Sequence, residues 1–322
     1  MDTTTLGRTG RTVSVAGFGC GGSSRLGITR GLSTEESVRL VRAAMDEGVS
    51  LLDTAEAYGT EEIVGRAVSH VDRNSVTVCT KSRYRNGDTF LSASELVANL
   101  EASLRRLDLD SVDVFFVHAV RPADYARVYD EYVPALLREK ERGTLQHIGI
   151  TETPPNDPRQ VMMTRAVYED VWEVVMLGFH LMNHGPRRHI FPTTQANGIG
   201  TLIMFAVRAI FSRPERLREA MRALAAAGKV PPEMAERENP LADLVDQSGA
   251  KDLTEMAYRF ARHEPGADVV LFGTGSEAHM RANVAAINAA PLPESVQARL
   301  SALFGRLAGV GFDVPDHMKK PG

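Results

Sequence analysis

Val112-Asp113-Val114-Phe115-Phe116-Val117, then a helical pattern over residues 128–142 stopped by Gly143, then Gln146-His147-Ile148-Gly149-Ile150 make one strand–helix–strand unit. The strand segments are mostly apolar rather than alternating, which is how strands covered on both faces read. A strand that returns after a helical crossover runs parallel to the first. The same rhythm continues in both directions. Strand-like runs occupy residues 50–53 and 76–80 before this unit, and 171–177, 201–206 and 269–272 after it. With residues 15–19 as the first, the count is eight. Eight parallel strands with intervening helices favour a closed (β/α)8 TIM barrel over an open sheet.

The helices carry their own punctuation. Ser33-Thr34-Glu35-Glu36 and Ser92-Ala93-Ser94-Glu95 read as capping boxes, in which a hydroxyl and a carboxylate satisfy the free amides of a first turn. Val38, Val41 and Met45 follow the first box, and Leu96, Leu100, Leu104 and Leu107 the second, at helical spacing. Further helices are expected over residues 252–263 and 277–288. Residues 3–15 read as an N-terminal β-hairpin around Thr9-Gly10. Residues 213–249 break the rhythm between the seventh strand and the next helix. They read either as a lid with helical content or as a surface excursion. The expectation is one domain spanning residues 1–322, since such barrels take about 250 residues or more.

The chain of 322 residues has a net charge of −4 with both signs mixed, which does not suit nucleic acid or an anionic membrane as main partner. No apolar run approaches the roughly 20 residues that span a bilayer. Cys20 and Cys79 are the two cysteines and lack metal-type spacing. With no signal-like N-terminus, a reducing, cytoplasmic setting is expected. His184 and His189 flank Arg187-Arg188 and are not spaced to share a metal from one helix face, so no metal site is expected.

Gly17-Phe18-Gly19-Cys20-Gly21-Gly22 satisfies G-x-G-x-x-G after a strand-like run. That motif binds a dinucleotide only when a helix opens at the glycines. Here a loop runs from Ser23 to Leu32 before the helix begins, so the Rossmann reading is set aside. The glycines are expected to let a loop turn tightly beside a ligand.

Four polar residues stand at or just past the ends of consecutive strands: Asp53, Tyr58, Lys81 and His118. Each alone has an ordinary explanation as a cap, a solvated cation or a loop residue. In a barrel all four converge on the C-terminal mouth, where active sites are built. A phenol has an ordinary pKa near 10, and a nearby ammonium lowers it towards the range of useful proton transfer. Asp53 can hold Lys81, and His118 can bond a substrate oxygen. The set suits carbonyl reduction, with hydride from a cofactor and the proton from Tyr58.

Asp53-Thr54-Ala55-Glu56-Ala57-Tyr58-Gly59-Thr60-Glu61-Glu62 resembles the signature loop of the aldo-keto reductases. Thr80-Lys81, Val117-His118 and the Leu6-Gly7-Arg8-Thr9-Gly10 hairpin resemble other motifs of that family. The resemblance implies Tyr58 as general acid/base, Lys81 and Asp53 as the pair that tunes it, and His118 as the residue orienting the carbonyl. It implies NADPH, with NADH as the alternative, extended across the mouth. Gly273-Thr274-Gly275-Ser276, His279 and Asn283 resemble the segment that holds the adenosine half, and Arg208 could touch the pyrophosphate.

The departures are specific. Where the family usually has Ser-Asn against the nicotinamide carboxamide, this chain has Thr151-Glu152; where it has Gln, Met176; where it often has an aromatic, Met204. A charged Glu152 beside the ring would favour the oxidised cofactor, by about 1 kcal/mol or more if partly buried. Tyr84, His180 and Phe205 are expected to wall a substrate pocket. The expected activity is interconversion of an aldehyde or ketone and its alcohol, on a sugar, terpenoid, steroid or aromatic aldehyde, by a monomer or small homo-oligomer. The alternative is a cofactor-binding regulatory subunit with little turnover.

Overall fold

A computed structural model describes residues 1–312. Eight strands close into a barrel: β1 (Ala16–Gly19), β2 (Leu51–Asp53), β3 (Thr77–Arg83), β4 (Val112–Val120), β5 (Leu145–Glu152), β6 (Val174–Gly178), β7 (Gly200–Met204) and β8 (Val269–Phe272). Neighbours follow chain order, β8 pairs with β1, and every pair is parallel. The expected barrel is therefore the observed one.

Alternation along the strands sorts side chains into two layers. Leu51, Cys79, Val114, Phe116, Val174, Met176, Leu202 and Val269 fill the interior. Phe18, Val78, Phe115, Ile148, Val175, Ile203 and Val270 belong to the larger core against the helices. The hairpin pairs Thr3–Thr5 with Thr12–Ser14 and sends Leu6 and Val13 into the interior cluster from below. Gly200 makes room for this plug: a Cβ there would stand 2.8 Å from the Leu6 side chain.

Outside lie α1 (Thr34–Asp46), α2 (Glu61–Val68), α3 (Ala93–Leu107), α4 (Tyr125–Arg142), α5 (Val161–Ala166) and α6 (Ile190–Asn197). Both capping boxes form as expected, Ser33 with Glu36 and Ser92 with Glu95. After β7 come α7 (Ala209–Ser212), α8 (Pro214–Ala226), α9 (Glu233–Glu236) and α10 (Ala242–Ser248), then α11 (Leu253–Arg262). The last helices among the described residues are α12 (Glu277–Asn288) and α13 (Glu294–Phe304). The stretch 213–249 is thus helical and buries Leu217, Met221, Leu224, Met234 and Leu244 in the common core. Arg299 on α13 donates to Asp243 at 3.0 Å and Gln247 at 2.9 Å on α10.

Several strand bounds differ from expectation: β5 runs on to Glu152, β6 begins only at Val174 and β7 stops at Met204, and the ends of β3 and β4 bear most on the site. β3 runs on to Arg83 and β4 to Val120, so Lys81 and His118 lie within strands, paired as Lys81↔Phe116 and Arg83↔His118. β4 stays paired through an irregularity between Val117 and Val120, where Ala119 adopts φ 57°. An antiparallel pair, Arg85–Asn86 with Thr89–Phe90, follows β3 and has no strand-like signature in the sequence.

At the opposite end of the barrel, Asp113 accepts from the Val78 amide at 2.7 Å and pairs with Arg11 at 2.9 Å and Arg73 at 2.7 Å. It is buried. Asp113→Ala should leave that amide unpaired and the two guanidiniums uncompensated, at a cost of roughly 2–4 kcal/mol. Denaturant unfolding should show a lowered midpoint, and an unchanged midpoint would contradict this account.

Candidate active site

Asp53 closes β2 and Lys81 lies two residues beyond its barrel neighbour Cys79 on β3. Adjacent registers therefore place an acid and a base side by side. The Lys81 ammonium donates to Asp53 Oδ1 at 2.6 Å and to the Thr54 carbonyl at 2.8 Å, with both side chains buried. Burial alone would pull the ammonium pKa down, but the Asp53 carboxylate and the neighbouring Tyr58 outweigh it and raise it above the ordinary lysine value.

Tyr58 ends a short helical turn, Glu56–Tyr58, that is clamped from both sides. Glu56 accepts from the Arg83 amide at 2.9 Å, and Thr54 and Thr60 share a hydroxyl hydrogen bond of 2.8 Å. Behind them buried Glu61 accepts from Thr80 at 2.5 Å and from Arg106 at 2.6 Å. The Lys81 nitrogen lies 4.9 Å from the Tyr58 ring centroid. The His118 ring stands edge-on to Tyr58, with centroids 5.8 Å apart at 85°. The structure thus brings the four expected residues together.

Their protonation differs from expectation in one respect. Burial raises the Tyr58 pKa above its ordinary value, and the charge of Lys81 only partly opposes this. The phenol is a loaded proton donor at neutral pH. Burial, followed by the charges of Lys81 and Arg83, pushes His118 down to about 3, so its imidazole is neutral. Its buried Nδ1 has no hydrogen-bond partner. A neutral imidazole presents one N–H and one bare nitrogen, which suits contact with an oxygen better than relay of a full positive charge.

The glycine motif has a different use from dinucleotide binding. Gly17 and Gly19 belong to β1, and α1 opens only at Thr34. Gly21 is the position that matters, because a methyl group there would overlap the Tyr58 ring. Sequence reading missed this role, since it is a contact between two loops.

The residues expected around the cofactor are distributed differently from the four. Thr151 is buried and its hydroxyl accepts from the Ala119 amide at 2.7 Å, holding the left-handed turn after His118. Met176 is buried within the barrel and Met204 half-buried at the end of β7. Arg208 lays its guanidinium 4.2 Å from the Phe205 ring centroid, and Phe205 itself adopts φ 66°. Ser276 caps α12 by accepting from the His279 amide, and Thr274 accepts from the Ser276 amide at 3.1 Å. Gly273 sits close under β1, where a Cβ would stand 3.2 Å from the Gly19 carbonyl. His279 is exposed and Asn283 half-buried. Arg281 pairs with Glu47 and with Glu277.

A helix start, a small-residue cradle and unpartnered buried nitrogen and oxygen atoms at the mouth fit an extended dinucleotide. Of the expected pocket walls, Phe205 is half-exposed. Tyr84 is buried and donates to Asp124 at 2.6 Å, so it is a structural strut rather than a wall. His180 is fully buried.

Glu152 needs a correction. It faces neither solvent nor an arginine. It is 2% exposed, and its Oε1 accepts from the Gly178 amide at 2.6 Å and from Gln160 at 2.9 Å. Burial raises its pKa to about 8, against those two hydrogen bonds. At neutral pH the carboxyl is mostly uncharged, so the charge that would have favoured an oxidised cofactor is largely absent.

Among the described residues no helix is long and apolar enough to cross a membrane, and no group of three or more His, Cys, Asp or Glu could hold a metal.

Two predictions follow from this geometry. Gly21→Ala should displace Tyr58 and lower kcat by about 10- to 100-fold, with melting temperature little changed; wild-type kcat would refute the contact. The acid of Glu152 binds its proton more tightly folded than unfolded, so it detracts progressively from stability as pH rises from about 4.5 to about 8. Glu152→Gln should remove that part of the decline, visible as a flatter curve of melting temperature against pH.

Comparison with known proteins agrees with the geometry. The family model described as "Aldo/keto reductase family" matches residues 19–304. L-galactose dehydrogenase of Arabidopsis thaliana is 28% identical over 292 residues, covering 88% of this chain and 86% of that protein. Aldo-keto reductase YhdN of Bacillus subtilis is 27% identical over 316 residues, covering 88% and 87%. Among solved structures, the holo form of an aldo-keto reductase of Bacillus halodurans superposes with a TM-score of 0.69 at 21% identity, covering 94% of this chain and 96% of that one. An aldo/keto reductase of Klebsiella pneumoniae in complex with NADP and acetate gives 0.66 at 19% identity, with 94% and 96% covered. The chain belongs to the aldo/keto reductase family, oxidoreductases that act on carbonyl compounds.

Proposed function

We propose that this protein interconverts a small aldehyde or ketone and its alcohol, using a nicotinamide dinucleotide, with Tyr58 as general acid/base. The observation that carries the reading is the buried Lys81–Asp53 pair at 2.6 Å, packed against a phenol that burial keeps protonated. The dinucleotide, when bound, supplies or accepts the hydride. Thr274, Ser276, His279 and Asn283 would hold its adenosine half, and Thr151, Met176 and Met204 would lie towards its nicotinamide end.

The chain's own groups do the rest. In reduction the carbonyl oxygen lies between the Tyr58 hydroxyl and the neutral His118 ring. Tyr58 delivers its proton to that oxygen as negative charge develops. Lys81 steadies the resulting phenolate, which is where a fixed positive charge in a dry site has most effect. Asp53 and the Thr54 carbonyl keep the ammonium in place, so no reorganisation is needed during transfer. In the reverse direction the phenolate takes the alcohol proton.

NADPH and NADH both fit this description. A 2′-phosphate needs a cation, and Arg281 is already paired with Glu47 and Glu277, leaving His279 as the basic side chain in that segment. Fluorescence titration with each dinucleotide decides between them.

Tyr58→Phe tests the reading. It should lower kcat on every carbonyl substrate by about 10³-fold, while the dissociation constant of the preferred dinucleotide changes less than about two-fold. Retention of turnover would remove Tyr58 from its role. A wild-type protein that binds dinucleotide but turns over nothing in a broad carbonyl and alcohol panel would support a regulatory subunit instead.

A further inference from the structure

Arg83 stands over the four mouth residues. It is in register with His118 on the adjacent strand, as the pair Arg83↔His118 of β3 and β4. Residues two apart on a strand share a face. On β3 that face runs from Cys79 in the barrel interior, through Lys81 at the ion pair, to Arg83. Arg83 is therefore the next inward position above Lys81, roughly 7 Å further along the strand, and unlike Lys81 it is exposed.

Its backbone is held from both sides. The Arg83 amide donates to Glu56 at 2.9 Å, and the preceding Ser82 hydroxyl accepts from Asn99 at 3.0 Å. The following Tyr84 donates to Asp124 at 2.6 Å, and its carbonyl accepts from the Tyr132 hydroxyl at 3.1 Å. The guanidinium is treated differently. Among the described residues it has no hydrogen bond and no ion pair, whereas Arg85, two residues on, is paired with Asp88 and Asp124. The carboxylates nearby are committed elsewhere: Asp53 to Lys81, Glu61 to Thr80 and Arg106, and Glu56 to the Arg83 amide.

The charges around it leave a positive balance. Lys81 and Asp53 cancel, and Tyr58 and His118 are neutral. This side of the mouth thus carries the charge of Arg83 without a counter-charge. The phosphates of a dinucleotide do not supply one. The segments that would hold them follow β7 and β8, and the closed strand order puts β7 directly across the barrel from β3.

We propose that Arg83 is a specificity-determining residue that pairs with a carboxylate carried by the substrate a few bonds from its reacting carbonyl. A guanidinium takes both oxygens of a carboxylate in one plane. One cation balances that single charge, whereas a phosphate ester carries up to about −2 and calls for a second. Because the Arg83 backbone is fixed, little order has to be gained when the anion binds. The proposal rests on the carbonyl reading of the mouth only for where the reacting carbon lies.

The three carboxybenzaldehyde isomers, each set against its neutral methyl ester, test the charge. At least one acid should exceed its ester about ten-fold in kcat/KM, the scale of one charge-assisted hydrogen bond. Arg83→Gln should bring that ratio to about one through a higher KM for the acid, and Arg83→Lys should restore part of it. A wild type that treats acid and ester alike overturns the proposal, as does an Arg83→Gln variant that keeps the preference. Equal loss on acid and ester in Arg83→Gln also overturns it, since the guanidinium would then act through His118. A ten-fold preference for glyceraldehyde 3-phosphate over glyceraldehyde, with none among the acids, overturns the carboxylate assignment. Calorimetry reads the same preference without turnover. On protein loaded with the reduced form of the tighter-binding dinucleotide, the matching hydroxymethylbenzoate should bind about ten-fold tighter than its methyl ester, and Arg83→Gln should abolish the difference. If Tyr58→Phe keeps full turnover while this difference holds, the catalytic reading fails and the role of Arg83 stands.

Discussion

A lysine and an aspartate deprived of water hold this site together. Taking both charges out of solvent costs several kcal/mol per ion. Only close contact offsets this, and here it consists of 2.6 Å to Asp53 and 2.8 Å to the Thr54 carbonyl. Such contact requires β2 and β3 to be adjacent, parallel and in the register that sets Asp53 beside Cys79. The barrel meets that requirement by closing, and the position of Tyr58 is defined relative to the ion pair. The loop carrying Tyr58 is tied to β3 through Glu56 and backed by Glu61.

The mouth shows how strand ends become functional groups. β4 does not simply stop after His118. It turns through a left-handed Ala119 whose amide is held by Thr151 from β5. Glu152 then uses one carboxyl oxygen where a strand carbonyl would be, accepting from β6. The two residues that replace the usual carboxamide-binding pair are thus partly absorbed into the strand ends. The left-handed Phe205 after β7 is another such position, and strain of this kind concentrates at sites where geometry serves function.

Much of this was legible in the sequence. Continuous apolar runs separated by capped helical segments specify a parallel sheet, and eight of them a barrel. The hairpin and both capping boxes were readable because they rest on neighbours a few residues apart. Asp53, Tyr58, Lys81 and His118 were readable because parallel closure sends consecutive strand ends to one face. The extension of β3 and β4 was not, because polar residues such as Lys81 and His118 look like strand terminators until their burial is known. The strut role of Tyr84 depends on Asp124, forty positions away.

The sequence by itself determined the period, the order of the elements and the identity of the groups at the mouth, since these follow from local pattern. Tertiary structure alone decided which of those groups carry charge. Burial is a sum over neighbours from many segments, and it keeps Tyr58 and Glu152 protonated and His118 and His180 neutral. It also decided that Gly21 is required by the ring of Tyr58, because that contact arises only once two loops from different strands share one space.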